Sequence, residues 1–153
     1  MQLPRLLSGA MAGTALAALA TAGGLAVAAP ASAATSANIC RSGSVPNDGE
    51  YVLPCIYGNG GKSIYGLADI SGSNHTSVNL CVDIINASTG AVVPGTATCA
   101  YVSDAANGGS VTTSWVSPGY GTYVSHAWFT SPTYYDGGES GRLSITVGCP
   151  PAC

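Results

Sequence analysis

From Glu50 onward the chain is a series of short runs in which apolar and polar side chains alternate. Each run is closed by a cluster of Gly, Asn, Ser or Asp. The runs are EYVLPCIY (Glu50–Tyr57), KSIYGLADI (Lys62–Ile70), SVNLCVDII (Ser77–Ile85), ATCAYV (Ala97–Val102), SVTTSWV (Ser110–Val116), TYVSHAWFT (Thr122–Thr130) and RLSITVG (Arg142–Gly148). A period of two sends successive side chains to opposite faces of a strand, and no window is both long and periodic enough for an amphipathic helix.

Several short strands at regular spacing predict an all-β chain, a small antiparallel β-sandwich of about seven strands with Ig-like general architecture. The strand order is not legible. Residues 35–49 (TSANICRSGSVPNDG) lack a hydrophobic period and are rich in turn formers, so they read as an extended N-terminal arm. Residues 50–153 read as a single domain.

The first 34 residues follow a different logic. Arg5 is followed by an uncharged Ala-, Leu- and Gly-rich stretch to Ala29, then Pro30 and the small-residue sequence ASAA. A basic start, an apolar middle and an A-x-A site at Ala31 and Ala33 are the parts of a secretory signal peptide, removed on export. The composition of this leader has a bacterial cast. The mature chain is therefore expected in an oxidising, extracellular space, with no membrane contact of its own.

That expectation changes the meaning of the cysteines. All six, Cys40, Cys55, Cys81, Cys99, Cys149 and Cys153, lie beyond the leader. An even count in a small exported chain reads as three disulfides. Cys81 and Cys99 lie on consecutive predicted strands and pair best. Cys40 with Cys55 would fix the arm, and Cys149 with Cys153 would close PPA. A zinc site is disfavoured because no C-x-x-C pair exists, and no metal or other cofactor is expected.

Charge removes further classes. Beyond the leader, Arg41, Lys62 and Arg142 face seven acidic side chains, a net charge of −4. Phosphate recognition requires clustered Lys and Arg, so nucleic acid is not an expected partner.

Six of the eleven aromatics fall within SPGYGTYVSHAWFTSPTYYDGG (Ser117–Gly138). If SPGYG closes a hairpin between the runs on either side, Trp115 shares a face with Val111, Val124, His126 and Trp128. That stripe would be core. Tyr120, Tyr134 and Tyr135 sit in Gly-rich turns instead and are the candidate binding patch.

Catalytic constellations are weak. GGESG (Gly137–Gly141) resembles the GDSGG around the nucleophile of trypsin-like proteases, and His75, Asp83 or Asp104, and Ser140 fall in His–Asp–Ser order. The surroundings of His75 and Ser140 depart from that family, and a triad is proved by geometry rather than order. His126 has no acid near it in sequence and reads as a structural histidine, and His75 reads as solvated. Asp104, Asn107, Asp136 and Glu139 lie in turns too poor in oxygen ligands for calcium. Asn74-His75-Thr76 and Asn86-Ala87-Ser88 match the glycosylation acceptor by spacing alone.

The sequence thus leads to a small secreted, non-catalytic binding module that contacts another extracellular protein as a subunit or adaptor. Glycan or cell-wall binding through the loop tyrosines is the alternative, and a secreted effector such as a protease inhibitor or small antibacterial toxin is a third reading.

Overall fold

The computed structural model describes residues 36–47 and 49–146. The proposed leader and the Cys149–Cys153 pair lie outside them. The described chain is all-β, with ten strands in two antiparallel sheets and a single turn of 3-10 helix at Ala105–Asn107. The strands are β1 (Ala37–Cys40), β2 (Val45–Asn47), β3 (Glu50–Gly58), β4 (Ile64–Gly72), β5 (Val78–Asn86), β6 (Thr98–Val102), β7 (Gly109–Thr112), β8 (Gly121–Phe129), β9 (Tyr135–Glu139) and β10 (Leu143–Ile145).

The first sheet runs β1–β3–β4–β7, with β2 also on β3. The second runs β10–β8–β5–β6, with β9 also on β8. The segment expected as an arm is therefore paired along β3, residue Ala37 opposite Gly58 and Asn47 opposite Glu50. Two disulfides form among the described residues, Cys40–Cys55 and Cys81–Cys99. Each joins two residues that face one another in register on neighbouring strands, one bond per sheet.

Alternation decides which side chains meet. Val52, Ala68, Ile70 and Val111 of the first sheet pack with Val78, Leu80, Val82, Ala127 and Phe129 of the second. A second cluster joins Ile56 and Ile64 to Ile84, Tyr123, Leu143 and Ile145. Removing each Val, Leu, Ile or Phe side chain of these clusters from water supplies roughly 1.5–3 kcal/mol. Where the ladders stop, hydroxyls complete the backbone. Buried Thr96 accepts from the Ile84 N–H at 3.1 Å and donates to the Val93 carbonyl at 2.8 Å.

The hairpin expected around SPGYG does not exist. β7 pairs with β4 in the first sheet and β8 with β5 in the second, so residues 113–120 cross between sheets. The inward face of β8 is Tyr123, Ser125, Ala127 and Phe129. Trp128, expected in the core, is half-buried on the outer face beside the half-buried His126. Trp115, also expected there, is 54% exposed. The error has a physical source: both faces of TYVSHAWFT carry apolar side chains, so alternation alone cannot say which is inside.

β9 also arises where the sequence suggested only a turn. Its Gly137 makes the strand possible, because a Cβ there would stand 2.7 Å from Val52 and 2.8 Å from the Ala127 carbonyl. Close backbone approach replaces the apolar alternation that marks other strands.

Candidate functional site

Two groups of side chains on the outer faces of the sheets carry chemistry. On the first sheet, the register sets Tyr57 of β3 opposite Tyr65 of β4. Their rings stack at 4.7 Å with 9° between planes. An isolated bridge between Ile64 and Val116 brings the chain after β7 alongside β4, and Trp115 meets Tyr65 edge-on at 4.5 Å and 61°. The Ser63 and Ser117 hydroxyls, 2.8 Å apart, tie the same two segments. Two residues beyond Pro118, Tyr120 is 53% exposed and lies under the Lys62 ammonium, which is 5.0 Å from the ring centroid.

This row has a definite polarity. Tyr57 and Tyr65 cover each other's faces, while Trp115 at the end remains open. Each edge or offset contact contributes about 0.5–1.5 kcal/mol beyond area burial, enough to hold the indole in one orientation. The exposed part of the indole then offers a fixed apolar surface.

The three tyrosines expected to share a patch do not converge. Tyr120 precedes the first residue of β8, whereas Tyr135 pairs with Phe129, the last. At roughly 3.3 Å per residue the two ends of β8 lie about 26 Å apart. Tyr134 is exposed, but Tyr135 is half-buried, its ring 5.1 Å from Phe129. Only Tyr120 belongs to the end of the molecule where the aromatic row lies. Tyr57, Tyr65 and Trp115 were missed because nothing in the sequence pairs residues 57 and 65 with 115.

On the second sheet, β5 and β8 set Asp83 opposite His126, and β9 brings Asp136 to the other side of the ring. His126 Nε2 lies 3.0 Å from Asp136 Oδ1, and Nδ1 lies 3.5 Å from Asp83 Oδ1. The ring stacks on Trp128 at 5.0 Å. The contact with Asp83 leads in raising the His126 pKa; partial burial opposes it and Asp136 reinforces it. For Asp136, burial pushes upward, but the Gly138 amide, His126 and Arg41 together bring its pKa below the usual value. Asp83 and His126 are 43 positions apart, which hides this pair from any sequence motif.

The other histidine is paired too. His75 Nδ1 lies 2.9 Å from Asp104 Oδ2, while Asp104 Oδ1 accepts the Ala106 N–H at the start of the 3-10 turn. Ser140, third in the protease-like order, is buried and its hydroxyl is used twice. It accepts from the Ser125 N–H at 2.9 Å and donates to the Gly141 carbonyl at 2.8 Å. Such a hydroxyl lies within the ladder rather than at a reacting face.

Compared with protein-family models, curated proteins and solved structures, the chain matches none significantly. Its own geometry therefore carries the functional argument. Among the described residues, no group of three or more His, Cys, Asp or Glu side chains is arranged to hold a metal ion, and no helix is long and apolar enough to cross a membrane.

Proposed function

We propose that this chain is a secreted, non-catalytic module, an Ig-like β-sandwich, that binds glycans through Trp115. One observation carries the reading: an indole that is half exposed yet held edge-on against Tyr65. A pyranose presents an apolar C–H face that stacks on an aromatic plane, and a fixed plane loses little entropy on binding. Tyr57 braces Tyr65, and Tyr120 with Lys62 extends the surface. The two cross-strand disulfides and the proposed leader support export to an oxidising space. The double use of the Ser140 hydroxyl supports a role without catalysis.

The test is retention of the purified protein on insoluble peptidoglycan, chitin and cellulose. Binding to at least one is expected, falling at least tenfold in Trp115→Ala, whose melting temperature stays within a few degrees of wild type. Equal retention of the variant removes Trp115 from the site, and no retention on any of the three counts against the glycan reading.

A second reading has its own observation. β6 is the last strand of the second sheet and carries Tyr101, 69% exposed. An open strand edge can accept a strand from another protein, which would make the chain a subunit or adaptor. A stoichiometric companion in a native pull-down, lost in a Tyr101→Asp, Ala100→Pro variant, would favour this reading over the first.

A further inference from the structure

We infer that Asp83, His126 and Asp136 form a proton-operated latch: the doubly protonated imidazole ties β9 to β5, and loss of one proton frees the Asp136 end first. One ring faces a carboxylate oxygen at each nitrogen, Asp83 at 3.5 Å and Asp136 at 3.0 Å. A neutral imidazole has a single N–H, so its other nitrogen would turn a lone pair toward a negative oxygen. Only the imidazolium donates at both ends.

The two ends are unequal. The Asp83 side chain is 8% exposed, and its Oδ1 has no hydrogen-bond partner apart from this long approach to His126. A buried carboxylate oxygen left without a donor is costly, about 1–3 kcal/mol or more for a charged group. The Asp136 side chain is well exposed, and its Oδ1 also accepts the Gly138 N–H at 2.8 Å. When the ring loses a proton, the remaining N–H is therefore retained at Nδ1, toward Asp83. The bond given up is the one that crosses to β9.

β9 is built to respond. Its ladder with β8 is interrupted between His126 and Trp128, where the histidine crosses. The charged and titratable groups around the ring are Asp83 on β5, and Asp136, Glu139 and Tyr135 on β9. Glu139 is the backbone register partner of His126. Arg41 reaches in from the chain after β1, where its guanidinium bonds the Gly137 and Val52 carbonyls, and its charge acts on Asp136. Trp128, stacked on the ring, restricts its rotation.

The test joins two measurements on the oxidised protein across pH 5 to 9. Ring-nitrogen NMR should show His126 doubly protonated at the acid end, then carrying its proton at Nδ1. Over the same titration, amide exchange protection across Tyr135–Glu139, corrected for the intrinsic pH dependence of exchange, should fall at least threefold while that of β5 holds. In Asp136→Asn, an exposed and conservative change, the β9 step should vanish with the fold intact. A neutral ring protonated at Nε2, flat protection in β9, or a step that persists in Asp136→Asn would each overturn the latch. His75 lies in another turn beside Asp104, so a His75→Asn control should leave the step unchanged.

Discussion

The outer faces of the two sheets solve the same problem in opposite ways. Each must carry a half-buried layer of side chains over a ladder stapled by one disulfide. The first sheet does so with neutral rings, Tyr57, Tyr65 and Trp115, whose contacts depend on dispersion and shape. The second uses charge, with one imidazole between two carboxylates and a tryptophan beneath it. The difference teaches where sensitivity resides. The aromatic face should be indifferent to pH and salt and open to an apolar ligand surface, while the charged face should respond to protons and hold its own strands.

The largest effect expected on breaking this comparison comes from the disulfides. They span 15 and 18 residues, so the entropic contributions should be nearly equal, about 3 kcal/mol each. Replacing Cys40 and Cys55, or Cys81 and Cys99, by serine should lower unfolding free energy by similar amounts in denaturant titrations. A large inequality would mean that one sheet relies on its staple more than the other.

Next comes His126→Ala at neutral pH. It leaves Asp83 buried without a donor and removes the ring from Trp128, for an expected loss of about 2–3 kcal/mol. Trp115→Ala, its counterpart on the first sheet, should cost under about 1.5 kcal/mol while abolishing glycan retention. Chemical denaturation of the two variants side by side measures the contrast.

The smallest effect is the pH dependence itself. His126 has a raised pKa when folded, chiefly through Asp83. Its stabilisation is complete below the ordinary histidine value of about 6.5 and is lost as pH rises through the folded pKa. Asp136, with a lowered pKa, runs the other way: its contribution is present above the ordinary carboxyl value and lost as pH falls through the folded one. Unfolding free energy should therefore decline as pH rises above about 6.5, and the decline should shrink in His126→Gln, leaving the smaller contribution of exposed His75, whose pKa Asp104 also raises. Trp115→Ala should keep it intact.

Much of the fold was legible because it follows from local alternation. SVNLCVDII reads as a strand and is β5, and Cys81–Cys99 follows from which runs are adjacent; Cys40–Cys55, which also forms, was suggested only by the need to fix the arm. What failed depended on choices between sheets. TYVSHAWFT is apolar on both faces, so its tryptophan was placed inside. The crossing of residues 113–120 from one sheet to the other leaves no mark in a stretch rich in Ser, Pro and Gly. The site was hidden for the same reason. Tyr57 and Tyr65 meet Trp115, and Asp83 meets His126, only once strands distant in sequence lie side by side.

The most direct test of the central claim uses Trp115 as its own reporter. In Trp128→Phe the sole indole left is Trp115, and its emission can be followed while soluble fragments of the retained polysaccharide are added. The account predicts a blue shift and reduced quenching by acrylamide, saturating with the same affinity as retention. Unchanged emission and quenching at saturating ligand, with retention intact, would mean that the glycan binds elsewhere and that Trp115 is not its platform.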